Sequence, residues 1–580
     1  MGYPPQGAGA GGITDVGALE DSYIELFKKK DPRAARLFPY VELLYNAGKL
    51  TADDIAGYIN DVLTYIPKIA EDFEKLFSAE FLASVINSNY LVASKIAAIF
   101  DNVNLSTSKI AAIINHNNLS ASKAAAIFNY ENLSVSKAAA VIDHDNLSAS
   151  KAASIFNHEN LSVSKAIMIL NHGNLSVSKA AAIISDENLS ASRAASIVND
   201  ENLSFTKVVS IFNNTNLLAS KAGAIIGDSN LSPSKAYDII THPDLPTDRM
   251  QSILYNTPVS SNLTYILTYG AGDLTVTSST AVIGVNRYNT LTIESGVTLS
   301  IGGQPGTLIV KTLNCYGYLW KSSTGGTGGA RGASGAGIGG DGGGGLIIFA
   351  GEFNNSYVVR ADGGSGSSGT TVAANGSGGT GGSGVFYRVG TDTAGTGGNG
   401  GGSLGGAGNT NGGGGGGYSS TYSGGAGGSS TYITFNSYAE LADEVKKAII
   451  DWVIVNVFGK SPTTTKSIPN IYGSGGGGGA AVDGYCAAGG GGGGGGQIIV
   501  LCNSFNNTGT IRANGGYGGS GGTEGDYDSC GGGGGGGIVY VLYKTLVNTG
   551  TLSVAGGTHG ATVDYHGTNG TAGTAKAVQI

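Results

Sequence analysis

The sequence predicts a multidomain α plus β chain, helical in its first part and glycine-rich β in its second, and three observations predict it. A 14-residue unit recurs twelve times between residues 90 and 256. Glycine is unevenly divided, with 11 of 101 in the first 256 residues and 90 in the remaining 324. A looser pattern of polyglycine, strand, Asn-centred turn, second strand and glycine restarts at 342–364, 493–516 and 534–557. The expected organisation is a flexible tail (1–12), a helical anchor domain (13–89), an α-solenoid of twelve 14-residue repeats (90–256), a threonine-rich β region (257–325) and a glycine-rich β head (326–580). The head is expected to be a β-helix or a β-sandwich, with a helical insertion at 439–460.

Each element has a local cause. In the anchor, Asp31-Pro32 and Thr51-Ala52-Asp53-Asp54 are helix starts, each followed by apolar residues at helical spacing. In the repeat, as in NLSASKAAAIFNYE (118–131), Leu holds the second place, Ser the third and Lys or Arg the sixth. Ser fits an N-cap, and Leu before it can staple onto the seventh place. The apolar second, seventh, tenth and eleventh places do not trace an a/d seam, so one continuous coiled-coil helix is rejected. Helices of about nine residues, each some 14 Å long, are too short to persist alone and are stable only when stacked.

Beyond residue 256, LTYILTYGAGDLTVTSSTAVIGV and NTLTIESGVTLSIGG alternate Thr, Val and Ile as strands of period two. The runs Gly412–Gly417, Gly489–Gly496 and Gly531–Gly537 have no side chains to bury, and their abutment to strands favours packed glycine helices over disordered linkers. AELADEVKKAIIDWVIVNVFGK (439–460) is an amphipathic helix with Leu441, Val445, Ile449, Trp452 and Val453 as its apolar stripe, expected to pack on the β domain.

Several functions find no support in the residues. The net charge of −8 and the absence of a basic stripe argue against a nucleic-acid partner. No G-x-x-x-x-G-K-[ST] run is present, and G-x-G-x-x-G means little where glycine is this dense, so no cofactor is expected. The four cysteines (Cys315, Cys486, Cys502, Cys530) have no C-x-x-C spacing and leave free thiols or one or two bridges open. The N-terminus lacks a basic-plus-apolar leader, and no transmembrane segment is expected, because Ala448–Phe458 is too short to span a bilayer.

His116, His144, His158, His172 and His242 share the thirteenth place of the unit and are read as solvated loop residues rather than metal ligands, and the Lys/Arg column as a solvated face. Nine Asn-Leu-Ser triplets are formal glycosylation acceptors, although helix capping asks for the same serine. An enzyme would need a carboxylate pair such as Glu524 with Asp526 or Asp528, a loop that could also bind calcium but that is read in preference as a polar turn; no catalytic or metal residue is assigned. Twenty-eight tyrosines among Gly, Ser and Asn have the composition of adaptable binding loops. Tyr418, Tyr422, Tyr485, Tyr517, Tyr527, Tyr540 and Tyr565, beside glycine runs, are the candidate receptor-binding residues.

The NLSxSKAAxIxN(H/D)(E/D) repeat, followed by a threonine-rich β region and a glycine-rich head, resembles virion surface or tail-fibre proteins, tailspike-like proteins included, of viruses infecting hyperthermophilic archaea. The polyglycine arms with aromatic-bearing loops resemble receptor-binding adhesins of tailed phages. Together these resemblances imply a virion fibre or tailspike that attaches the particle to its host. Its N-terminal domain would hold other virion proteins, its head would hold a host-surface glycan or glycoprotein, and homo-oligomers would be possible. Its place would be the virion surface or tail. A cellular surface adhesin or filament subunit, and a glycan-cleaving spike, are the alternatives.

Overall fold

The computed structural model describes residues 21–321, 340, 342–368, 385–390, 431–468, 489–520, 530–561 and 569–580. The chain divides into two compact units, residues 1–249 and 250–580.

The first unit is helical. It opens with α1 (Asp21–Lys28), a 3-10 segment (Pro32–Tyr40) capped by Asp31, and α2 (Val41–Asn46). Next come α3 (Ala52–Asp61), started by a Thr51–Asp54 capping box, α4 (Ile66–Lys75) and α5 (Ala79–Asn87). One helix per repeat follows, from α6 (Ala93–Asp101) to α17 (Thr247–Asn256). In α8 (Ala121–Asn129), the Ser120 hydroxyl accepts the Lys123 N–H, and the corresponding serine caps most of the other repeat helices as the spacing predicts.

The stacking follows every second helix. α4 packs on α6 and α6 on α8, so one turn of the solenoid is two units, or 28 residues. The same contact joins α3 to α5 and, across 89/90, α5 to α7, so packing continues through the boundary expected there. The units bury their second, seventh, eighth, tenth and eleventh places, as in Leu119, Ala124, Ala125, Ile127 and Phe128, with Tyr237 at an eighth place only part-buried. The two large apolar side chains at the tenth and eleventh places contribute about 3–6 kcal/mol of burial per unit, which offsets the entropy of ordering so short a helix.

The basic column is not the solvated face the sequence suggests. Lys123 Nζ donates to the Ser88 and Leu91 carbonyls at 2.9 and 2.6 Å, in the junction that follows α5. Lys137 reaches Leu105 O at 2.6 Å, and Arg249 Nε reaches Phe212 O at 2.8 Å. Each base thus donates to carbonyls of the junction between two successive helices, most often that of the leucine just before an N-cap. The thirteenth place has a local task. His144 Nδ1 accepts the Asn146 N–H at 3.1 Å, just as the Asp200 carboxylate accepts the Asn202 N–H at 2.9 Å. His, Asp and Asn interchange there because each offers an acceptor two residues ahead of the N–H it closes on.

The second unit departs from the strand reading at its start. Residues 261–268 form α18 (Ser261–Thr268), with the Ser260 hydroxyl accepting the Leu263 N–H. Alternation misled here because Thr264 and Thr268 turn their hydroxyls onto the carbonyls of Ser260 and Thr264, which lets polar residues sit on buried helix faces.

Strands follow: β1 (Leu274–Val276), β2 (Thr280–Ile293), β3 (Thr298–Cys315), β4 (Tyr318–Lys321), β5 (Gly345–Asn355), β6 (Val358–Arg360), β7 (Val385–Val389), β8 (Thr431–Phe435), β9 (Gln497–Asn507), β10 (Thr510–Arg512), β11 (Ile538–Asn548), β12 (Thr551–Ser553) and β13 (Thr574–Gln579). All except β7 and β8, which pair with each other, belong to one sheet, and every pairing in it is parallel.

Because β3 is long, it starts two ladders. One runs from its second half through β5, β9, β11 and β13, the other from its first half through β4, β6, β10 and β12. The bend that separates the two halves stacks Gly303 on Gly284; both have positive φ, and a Cβ on Gly303 would lie 2.8 Å from Gly284 N. Side chains from both ladders, including Leu308, Leu346, Ile498 and Val539 from one and Leu319, Val359 and Ile511 from the other, form a shared core. The opposite face of the long ladder is buried too, which is why β5, β9 and β11 begin as continuous apolar runs rather than alternations. α19 (Tyr438–Asn456) packs on β7 and β8, burying Leu441, Val445, Ile449 and Val453 of the expected stripe, whereas Trp452 stays part-exposed.

Candidate functional site: the glycine bundle and its flanking face

Glycine segments connect the two ladders. Residues 361–368, 513–520 and 554–561 leave the short ladder, and 340, 342–344, 489–496, 531–537 and 569–573 lead back to the long one. Their hydrogen bonds recur at every third residue. Gly490, Gly493 and Gly496 donate to Ser367, Gly364 and Ala361, while Gly492 and Gly495 donate to Gly532 and Gly535. On the next level, Gly531, Gly534 and Gly537 donate to Gly519, Gly516 and Ala513. A repeat of three with bonds directed to several neighbours is the geometry of extended three-fold glycine helices packed side by side. A Cβ on Gly492 would overlap the Gly516 carbonyl oxygen, and one on Gly534 would overlap that of Gly493, so no side chain is accommodated there. Among the described residues the runs 489–496 and 531–537 are therefore packed; Gly412–Gly417 lies outside them.

Ser367, Gly490, Gly519, Gly531 and Gly560 meet at one end of this bundle, linked by the bonds Gly490 N to Ser367 O, Gly519 N to Gly490 O, Gly531 N to Gly519 O and Gly560 N to Gly531 O. The chain leaves that end after residues 368, 520 and 561 and re-enters at 489, 530 and 569.

The candidate tyrosines divide accordingly. Tyr517 is 62% exposed on an outgoing glycine segment. Tyr540 is not presented to any ligand: it is fully buried in β11, with its ring 5.4 Å from that of Tyr438 on α19. Its position in an apolar strand, three residues after the last glycine of the run, puts it on the covered face of the ladder. Tyr418, Tyr422, Tyr485, Tyr527 and Tyr565 lie outside the described residues, as do Glu524, Asp526, Asp528 and Cys486.

Other chemistry in the described residues is occupied. Cys315, Cys502 and Cys530 are unbridged thiols, and burial pushes Cys315 up to about 12 and Cys502 higher still, so neither is a nucleophile. Cys530 Sγ lies 3.8 Å from His559 Nδ1, a pairing that their 29-residue separation hid. That nitrogen is also 2.7 Å from the Gly560 carbonyl, a contact that requires it to carry the proton and removes it as a base for the thiol. Asp451 is held by Tyr255, Gln251 and the Lys466 N–H at 2.5, 2.7 and 2.6 Å, beside a cavity of about 390 Å3 lined in part by Trp452 and Thr307. No group of three His, Cys, Asp or Glu suited to a metal is found among the described residues, and none of their helices is long and apolar enough to cross a membrane.

The outer face of the short ladder was not singled out by its sequence. Pairing aligns Tyr318 with Val358 and Trp320 with Arg360, then Arg360 with Arg512. The Arg360 guanidinium lies 4.9 Å from the Trp320 ring centre and 5.5 Å from that of Tyr318. Tyr318 and Tyr357 meet edge to face at 4.7 Å, with their hydroxyls 3.0 Å apart. Arg512 Nε is 2.9 Å from the Asp362 carboxylate, which also accepts the Asn514 N–H. Burial raises Asp362 despite this pairing. No family model, curated protein or solved structure matches the chain.

Proposed function

We propose that this protein is an attachment fibre or tailspike of a virus particle, with the N-terminal helical region held by other virion proteins and the glycine-rich head meeting a host-surface glycan or glycoprotein. The head is read as a β-helix whose rungs each extend a glycine hairpin. The observation that carries the reading is the convergence of the glycine segments. A lattice without side chains holds several connecting stretches at one end, and Tyr485, Tyr527 and Tyr565 belong by sequence to stretches that return there. A rigid scaffold presenting variable connections is how binding loops are generally mounted. Exposed Tyr517 flanks that end, and aromatic faces stack on sugar rings.

The test is whether the full chain binds host cells and what remains of their surface polysaccharide. Saturable binding with no release of reducing ends is expected, and binding is expected to fall on changing Tyr485, Tyr517, Tyr527 and Tyr565 together to Ser. Release of reducing ends lost on changing Glu524, Asp526 or Asp528 would replace the reading with a glycan-cleaving spike. Location on cell envelopes rather than on purified particles, by electron microscopy with a labelled chain, would replace it with a cellular adhesin.

A further inference from the structure

The face built by Tyr318, Trp320, Tyr357, Arg360 and Arg512 has the composition of a saccharide site with one fixed charge, and we propose that it binds an acidic, carboxylate-bearing sugar unit. The ring of such a sugar would lie on the aromatic side chains, and its carboxylate would meet Arg360. This inference stands on that face alone and does not require the attachment reading.

Two arginines sit on adjacent rungs, about 4.8 Å apart by strand spacing. Among the described residues the carboxylate beside them is Asp362, which is in contact with Arg512 at 2.9 Å and attracts Arg360 only from farther off. Among the same residues Arg360 makes no salt bridge, and its Nε is buried without an acceptor. In a chain of net charge −8, a half-buried arginine left unmatched is a cost to the fold unless an anion completes it. The planar guanidinium is oriented by its stacking on Trp320 and Tyr318, which fixes the edge it offers to a bidentate partner.

Tyr357 is 41% exposed, and the Arg512 side chain retains 34% of its surface. The side chains between them in the strands, Leu319, Val359 and Ile511, point into the shared core, so the outward positions are fixed by the two-residue alternation of a well-packed ladder. Aromatic rings paired with a desolvated cation accommodate a ligand that is part apolar ring and part anion. A neutral sugar would use the rings and leave Arg360 unmatched.

The experiment titrates the full chain with trigalacturonate and, separately, with its fully methyl-esterified form, by saturation-transfer NMR and calorimetry. Saturable binding of the acid form is expected, with at least tenfold weaker binding of the ester. Arg360→Gln should weaken the acid form at least tenfold and leave the ester unchanged; Arg360→Lys should recover little, because a lysine lacks the planar fork. Tyr357→Ala, at an exposed position, should weaken both forms while circular dichroism stays unchanged and the thermal midpoint falls by only a few degrees, the cost of the lost ring contact with Tyr318. If Arg360→Gln does not fold, the Tyr357→Ala result decides. Equal binding of acid and ester, no saturable binding of the acid, or wild-type binding by the folded Arg360→Gln or Tyr357→Ala variant would overturn the proposal. Uronate binding without attachment to cells would leave this site standing and remove the attachment reading; attachment without uronate binding would do the reverse.

Discussion

Replacing Lys123 by Met tests the view that the basic column is internal structure rather than solvated surface. Methionine keeps most of the apolar stem, so the change removes chiefly the ammonium and its bonds to the Ser88 and Leu91 carbonyls. A hydrogen bond to a charged group contributes about 1.5–3 kcal/mol net. Two bonds are lost, but burial lowers the Lys123 pKa, so releasing that charge from its half-buried place returns part of the loss. The expected net cost is about 2 kcal/mol, or roughly 4–8 °C in the midpoint of a cooperative unit of this size. Thermal unfolding of the full chain followed at 222 nm measures it, and hydrogen exchange should localise the loosening to 85–92 and 118–131. Lys123→Arg should be nearly neutral, because Arg193 and Arg249 already fill the same place in their own units and reach the corresponding leucine carbonyls. Exposed Lys29 supplies the control. A Lys123→Met effect no larger than that of Lys29→Met would refute the assignment.

Gly492→Ala should disrupt the head by more than the usual 1–3 kcal/mol of an overpacked site, since its Cβ would overlap a carbonyl that has nowhere to move, whereas Gly272→Ala, with open space around it, should stay near neutral; limited proteolysis and unfolding midpoints compare them. Burial pushes Lys321 down to about 8 from 10.5, so the unfolded chain binds the extra proton between these values: stability of the head should rise as pH is raised from 8 to 10.5, and Lys321→Met should flatten that slope and raise the midpoint at pH 7. His144→Asn should keep the acceptor for the Asn146 N–H and change stability by under about 0.5 kcal/mol, against about 1 kcal/mol for His144→Ala, measured by unfolding at neutral pH. Asn146 and Asn160 donate their side-chain amides to Ser108 and Ser122, so peptides from material made in a glycosylating host should carry no sugar at those asparagines by mass spectrometry if the chain folds before modification.

What the sequence made legible was whatever is decided within one unit. Ser at a cap, Leu before it and Ile with Phe on one face act over a few residues, and the helices start where those letters place them. The fate of the lysine was illegible because its partners lie 32 and 35 residues away, a distance that has meaning only once every second helix is known to stack. The strand–Asn–strand–glycine pattern gave the rungs directly, since residues such as Asn354 and Asn506 occupy equivalent turns and hydrogen-bond to each other along the stack. It gave neither the covered side of the long ladder, and hence the burial of Tyr540, nor the alignment of Arg360 with Trp320 across a stretch of 40 residues. Alternation failed at 263–268 because threonine serves a buried helix as readily as a strand when its hydroxyl can bond backward.

The glycine runs carry a consequence for how such a chain can vary. In the run 489–496 every residue is the same, and the strand β9 begins at once after it, so the phase of the three-fold helix is set from the strand end. Replication slippage over repeated glycine codons adds or removes whole residues. Because identical letters carry no address, an added glycine leaves every lattice position filled as before and emerges at the far end, lengthening the connection between 468 and 489. The outgoing segments are pegged differently: the Asn514 N–H donates to Asp362, and the Asn514 side chain accepts from Ser553 and Ala555, so their phase is fixed by named residues. Added residues are thereby channelled into the connections and away from the scaffold, whereas a lost glycine would draw Ala488 to the place of Gly489, where a Cβ meets the Gly519 carbonyl oxygen; the run can lengthen its connection without relearning how to fold, but it cannot shorten.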